Sequence, residues 1–405
     1  MPLAPDPGVL LVPLSRRTIL LSSSAGLGAV LLGACSSQQE ETGSTTAESP
    51  TPEATPTPTP EPTPTYEMTV WEDNTTVPHL FFHSLVVDTD RAFDGDEDAA
   101  GYLDYMATMD EFETFLQHVY DRGYVLVSPH DIYDVAPGGA VVSKPLEVPV
   151  GKTPLVLSFD DLSYYEYMEG DGFADNVALD DDDQVTTTYT DAAGKTEQGE
   201  FDYVPVLDRF VADHPDFSPH GRKGVIAMTG YNGVLGYRTS DLGYRDENPD
   251  LEQDKQTATE VADAMKADGW EFSCHTWGHL NCTEMPVGTL QEDMGKWKAE
   301  VEPIIGKTDL LIYPFGADIA GPEPYTDANP KFAFFKAEGF NSFFNVDAST
   351  PAWNQYGDRY LRQARINVDG ISLKAAIEGK NDVLHGFFDP HAVVDPARPA
   401  SIAGS

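Results

Sequence analysis

An apolar run, Pro154-Leu155-Val156-Leu157-Ser158-Phe159, ends on two adjacent carboxylates, Asp160 and Asp161. Successive side chains of a strand point to opposite sides, so two acids at a strand end can do different work. One can hold a metal while the other stays free as a base. A second run, Glu271-Phe272-Ser273-Cys274-His275-Thr276-Trp277-Gly278-His279, places two histidines four apart, able to present both imidazoles to one centre. Two imidazoles and a carboxylate with open positions form a common catalytic metal set. No Glu follows the first His, so this is not the zinc-protease helix motif. Alone, the acids read equally as a solvated loop pair and the histidines as a structural pair. Together, at the ends of two separate strand-like runs, they point to a metal centre.

Those runs belong to a longer alternation. Strand-like stretches occur at 80–87, 124–128, 154–159, 224–228, 310–315, 340–346 and 361–368, with helical patterns between several of them. Thr108-Met109-Asp110-Glu111 reads as a capping box, with Phe112, Phe115, Leu116 and Val119 on one face and a stop at Gly123. Thr289-Leu290-Gln291-Glu292 repeats that signature ahead of Met294, Trp297 and Val301, with Gly306 closing. Asn329-Pro330 reads as an N-cap with Pro at the first helical position, and Gly339 as the stop. No Gly-rich dinucleotide fingerprint follows any strand, which favours an α/β barrel with its site at the strand C-termini over a Rossmann sheet. Residues 169–200 break the alternation: acidic, with Asp180 to Asp183 in a row, an alternating run at 185–189 and a turn at Gly194, they read as a surface insertion carrying a small hairpin. Counted from Asp180, Val185 and Asp191 stand where a calcium EF-hand loop needs Gly and Glu, so that reading fails.

Ser158-Phe159-Asp160-Asp161 resembles the Thr/Ser-Phe-Asp-Asp motif of polysaccharide deacetylases, the NodB-homology carbohydrate esterases. His275-Thr276-Trp277-Gly278-His279 resembles their His-Ser/Thr-x-x-His motif, and Leu80-Phe81-Phe82-His83-Ser84-Leu85 is similar to the Tyr-His segment of many secreted members. The resemblance spans most of 80–389. It implies a distorted (β/α) barrel and metal-dependent removal of N- or O-acetyl groups from sugars. Carried over residue by residue, it makes Asp160 the general base and Asp161, His275 and His279 the ligands of a divalent ion, with Zn2+ expected. Ile312-Tyr313-Pro314-Phe315 stands where the family has Arg-x-Pro-Tyr/Phe, so the Pro and aromatic remain and the Arg is missing. Arg365 is the candidate to supply that guanidinium beside Asp160, a surface salt bridge being the alternative. Tyr313, Phe315 and His83 are expected to meet substrate, although His83 reads equally as a core residue. Asp382-Val383-Leu384-His385 resembles the final motif, an apolar strand whose His385 acts as general acid. Cys274 and Cys282 flank the histidine pair as either a disulfide or two buried thiols. Tyr231, Tyr237, Trp277 and Trp353 either stack on sugar rings or pack into the core.

The composition narrows the partners. The 405 residues hold 67 Asp+Glu against 25 Lys+Arg, a net charge of −42 that repels a polyanion and excludes nucleic acid as the expected partner. Eighteen Tyr, 20 Phe and 5 Trp suffice for a large core, and three cysteines cannot make a disulfide framework. Arg16-Arg17, an apolar run over 20–32 and Leu32-Gly33-Ala34-Cys35 read as a twin-arginine export signal ending in a lipobox, with Cys35 the lipid anchor. Residues 36–66 are a Ser/Thr/Pro/Glu spacer with nothing to bury. The expectation is a monomeric catalytic domain over 67–405, lipid-anchored at the outer face of the cell membrane and acting on a polysaccharide. Its rivals are a non-catalytic glycan-binding lipoprotein that retains the barrel, and a glycosidase, for which no partner acid to Asp160 stands out.

Overall fold

The computed structural model describes residues 66–402. The signal-like segment 1–35 with Cys35, and the spacer up to residue 65, lie outside the described residues. Seven parallel strands close on themselves: β1 (His79–Phe82), β2 (Thr153–Asp160), β3 (Val225–Met228), β4 (Glu271–Cys274), β5 (Leu310–Ile312), β6 (Ser342–Val346) and β7 (Tyr360–Asn367). Their order is β3-β4-β5-β6-β7-β1-β2, and β2 pairs back onto β3. The closure is uneven, since β4 and β5 meet only at Cys274 and Leu311. This is the distorted (β/α) barrel.

Among the described residues, five helices of eight or more residues run between these strands and a sixth follows β7: α1 (Met109–Asp121), α2 (Tyr203–Asp213), α3 (Leu251–Ala267), α4 (Val287–Glu300), α5 (Pro330–Glu338) and, after β7, α6 (Gly370–Ile377). Thr108 and Glu111 form the expected reciprocal capping box on α1, and Asn329 and Gly339 bound α5 as expected. The box expected at Thr289 does not form. Helix α4 starts three residues earlier, behind Pro286, whose missing N–H costs nothing at a helix entrance.

Period two sorts every barrel strand. On β2, Leu155, Leu157 and Phe159 face outward into the larger core with Phe112, Phe115 and Tyr203 from the helices, while Val156 joins a smaller inner core with Val225, Ala227, Leu310, Ile312, Phe344 and Leu361. Several other inward positions are polar: His79 bonds Gln363, and Ser158 and Asp160 meet Arg365. Residues 176–199 form a three-stranded antiparallel sheet rather than the expected hairpin, because Asn176–Leu179 adds to the pair Val185–Thr190 and Thr196–Gly199. Asp180 accepts from the N–H groups of Asp182 and Gln184 and so closes a turn there.

Asp202 joins three elements. Fully buried, it caps α2 at Tyr203 N (2.8 Å), accepts from Leu85 N (3.0 Å) after β1 and from the Tyr164 hydroxyl (2.7 Å) after β2. Burial pushes its carboxyl up to about 7. Asp202→Ala strands these donors, and at ~1–3 kcal/mol for an unsatisfied buried group the expected loss is about 3 kcal/mol of unfolding free energy. A urea titration should show a lower midpoint at unchanged slope.

Candidate active site

Asp160 is the last residue of β2 and points into the barrel mouth, where Arg365 of β7 meets it in a two-point fork. Nη1 donates to Oδ1 at 2.6 Å and Nη2 to Oδ2 at 2.8 Å, with Ser158 Oγ at 3.1 Å from Nη1. The guanidinium lies over the Phe81 ring, 4.1 Å from its centroid, and both charged groups are buried. Burial alone would raise the Asp160 pKa, but the charge of Arg365 and then of His275 outweighs it and holds the carboxyl well below its usual range.

Asp161 breaks from the strand with φ 64°, in the left-handed region, and its N–H donates to Ala227 O. That turn carries its Oδ2 to 3.6 Å from His279 Nε2. The other oxygen, Oδ1, accepts from the Tyr165 hydroxyl at 2.5 Å, and this phenol also meets Thr229 Oγ1 at 2.8 Å. His275 follows β4 and is fully buried, its Nδ1 bonded to Ile312 O at 2.8 Å. With Nδ1–H committed to a carbonyl, the lone pair stands on Nε2, 4.0 Å from Asp160 Oδ2. Burial lowers the His275 pKa to about 4 against the pull of Asp160 and Asp161, so the ring is neutral at neutral pH.

The ligand atoms of Asp161, His275 and His279 lie within 4.8 Å of one another. Two neutral-capable imidazoles and one carboxylate, one ring already oriented by a carbonyl, fit a divalent transition ion. Holding them there takes strained backbone. Among the described residues seven non-glycines have positive φ, and five of them, Asp161, Tyr164, Thr276, His279 and Phe315, belong to the two ligand-bearing turns and the Phe315 turn. Asp293 of α4 accepts from Trp277 N (2.7 Å) and Gly278 N (2.8 Å), Thr276 Oγ1 accepts from Leu280 N, and Glu300 accepts from the Trp277 indole.

Phe315 lies against His279 at 4.4 Å between centroids and is 67% exposed. Tyr313 does not reach the site. Ile312 faces inward, so its neighbour faces outward, and the buried Tyr313 hydroxyl meets Tyr325 in the outer core at 3.1 Å. His385 does not reach it either. Residues Val383–Gly386 coil into a 3-10 turn, the exposed His385 carbonyl accepts from Arg122, and Tyr124 reaches the adjacent Gly386 O. Tyr124 pairs with Thr153, the first residue of β2, whereas Asp160 is its last, so His385 belongs to the opposite end of the barrel.

His83 is the histidine brought to the carboxylates. It continues the inward parity of His79 and Phe81 one residue past β1, beside β2. It acts electrostatically on Asp160, Asp161 and the buried Asp369, and among the described residues its buried Nδ1 has no hydrogen-bond partner. Tyr165, Asp293 and Asp369 were not legible from sequence spacing. Cys274 and Cys282 are free, buried thiols, with burial pushing Cys282 up to about 12. Trp353 packs on Arg362, and Tyr237 against the larger core.

The polysaccharide deacetylase family model matches residues 247–323, a stretch that includes His275, His279 and Phe315. The expected resemblance is thus matched there. No curated protein matches the chain. Among solved structures, the Streptococcus pyogenes deacetylase PplD in complex with acetate aligns at 15% identity and TM-score 0.41 over 78% of this chain and 98% of that one. The polysaccharide deacetylase Bc1974 from Bacillus cereus aligns at 14% identity and TM-score 0.24 over 45% of this chain and 82% of that one.

Titration with Co2+ or Zn2+ against a chromophoric chelator should show one ion per chain. His275→Ala should abolish tight binding, and Tyr165→Phe, which removes the hydroxyl held on Asp161, should weaken it ~10–100-fold.

Proposed function

We propose that the protein is a metal-dependent deacetylase that hydrolyses N-acetyl or O-acetyl groups of a cell-envelope or extracellular polysaccharide. The observation that carries this reading is the juxtaposition of an arginine-held carboxylate, Asp160, with the Asp161, His275 and His279 donor set at one barrel mouth. A divalent ion there, with Zn2+ the expected one, would supply Lewis acidity towards a carbonyl oxygen and acidify water.

The chain's own groups divide the remaining work. Asp160 stays ionised and, fixed by the fork from Arg365, accepts the proton of the attacking water. Arg365 stands in for the arginine missing at Ile312. The Phe315 N–H is the candidate donor to the oxygen that gains charge during attack. His83 gives a proton to the departing nitrogen or oxygen as its bond to the acyl carbon breaks, the proton held by Asp160 balancing that loss, and the buried Asp369 carboxylate acts electrostatically on His83. Phe315 offers its open ring to the sugar.

The rival reading is a glycan-binding protein without turnover; the fork from Arg365 to Asp160 and the place of His83 beside the carboxylates favour hydrolysis over it. Export and a lipid on Cys35, with the spacer holding the domain off the outer face of the membrane, belong to the same proposal, as does a monomeric state.

Acetate release tests the assignment. Asp160→Asn should reduce turnover at least ~10³-fold while the ion stays bound, and His83→Gln should lower kcat ~10²–10⁴-fold. His385→Ala should retain wild-type turnover. Loss of activity in that variant with wild-type activity in His83→Gln would reverse the two roles.

A further inference from the structure

Immediately after Asp161 the chain builds a row of tyrosine rings that the hydrolytic chemistry does not use. Tyr165, whose hydroxyl holds Asp161, is parallel to Tyr231 on one count (5.1 Å between centroids, 13° between planes) and to Tyr167 on another (5.5 Å, 17°). Tyr167 is in turn parallel to Tyr102 (6.4 Å, 11°). Tyr102 and Tyr165 are buried and Tyr231 is partly so, but Tyr167 is 50% exposed. Among the described residues its hydroxyl has no hydrogen-bond partner. Burial of the inner part of the ring, and then the Asp161 charge, raise its pKa, so it stays an O–H donor. The outermost rung of this row is therefore open, polar at its tip and electrostatically within reach of a candidate metal ligand.

The row is also rigid. Arg238 threads beneath the segment, donating from Nη1 to Ser163 O (3.2 Å) and from Nη2 to Tyr164 O (2.7 Å) and Glu169 Oε1 (3.0 Å). The Tyr102 hydroxyl contacts Tyr167 O at 3.2 Å and Asp171 Oδ2 at 2.9 Å. A ring fixed in this way loses little entropy when a ligand docks. Its apolar body and hydroxyl tip suit a sugar, which offers C–H faces and hydroxyl edges together. Phe315, an open ring of the barrel mouth, packs on His279. These two exposed rings attach to different members of the ligand set, Phe315 directly to His279 and Tyr167 through Tyr165 to Asp161.

We infer that Tyr167 forms a second sugar subsite beside Asp161, so that the protein recognises an acetylated amino-sugar oligomer through the residue next to the one deacetylated. This rests on the deacetylase reading for its chemistry, though binding can be read without turnover. Tyr167 is a recognition residue here, and its removal should leave the metal set intact.

The test uses the full chain loaded with Zn2+ and two probes, N-acetylglucosamine and its β-linked tetramer. Acetate release gives kcat and KM, and calorimetry on the Asp160→Asn protein gives tetramer Kd without turnover. Tyr167→Ala should raise the tetramer KM and Kd about tenfold, leave kcat within about threefold, leave monosaccharide turnover unchanged and preserve Zn2+ affinity. Tyr167→Phe should fall between, separating the ring from its hydroxyl. Unchanged tetramer KM and Kd in Tyr167→Ala would overturn the subsite, as would an equal loss on both probes, a loss of Zn2+, or a tetramer that neither binds nor reacts. Tyr167-dependent binding without acetate release would keep the subsite and refute the deacetylase reading.

Discussion

A carboxylate and a guanidinium buried together at the barrel mouth set the terms for everything around them. Neither Asp160 nor Arg365 is tolerable there alone, since breaking a buried ion pair by removing one partner costs about 3–5 kcal/mol. The fork from Arg365 reaches both oxygens of Asp160, so the carboxylate cannot swing and is held in its charged form. A base that stays charged inside a barrel is the condition on which the neighbouring chemistry rests. The layers below serve it: Ser158 supports Nη1, Phe81 offers its face to the guanidinium, and His79 with Gln363 closes the polar column further down.

Around that pair, strain is placed where direction matters. Asp160 follows strand parity and points inward; Asp161 would point outward if the strand continued. Its left-handed turn redirects the carboxylate to His279, and similar turns at Thr276 and His279 redirect the second histidine. Such conformations persist only when neighbours over-determine them. Asp293, Glu300 and Tyr165 do so here, each spending a side-chain hydrogen bond on a loop that carries a ligand. The tyrosine row beyond Tyr165 extends the same rigidity towards the surface.

The legible part of this arrangement was local. Two acids ending an apolar strand and two histidines four apart are short-range patterns, and the structure brings Asp160, Asp161, His275 and His279 together. The capping box at Thr108 and the bounds of α5 are equally local. Barrel closure is not. It lays β1 beside β2 although seventy residues separate them, which is why His83 rather than His385 stands by the carboxylates. Arg365 could be named as a candidate because β7 was recognisable, but only the order β7-β1-β2 shows that it can reach Asp160. Tyr313 lies one step of parity away from the site, since Ile312 takes the inward place. The partners from outside the strands, Tyr165, Asp293 and Asp369, leave no spacing signal, because their positions depend on how separate loops meet.

The central claim joins a metal centre to acetyl hydrolysis, and one measurement addresses both. Acetate release from a panel of N- and O-acetylated glycans should be followed with the protein as isolated, after chelation and after restoring divalent metal. The account predicts release that vanishes with the chelator and returns with the ion. An ion bound at Asp161, His275 and His279 with no acetate released from any glycan in the panel would contradict it.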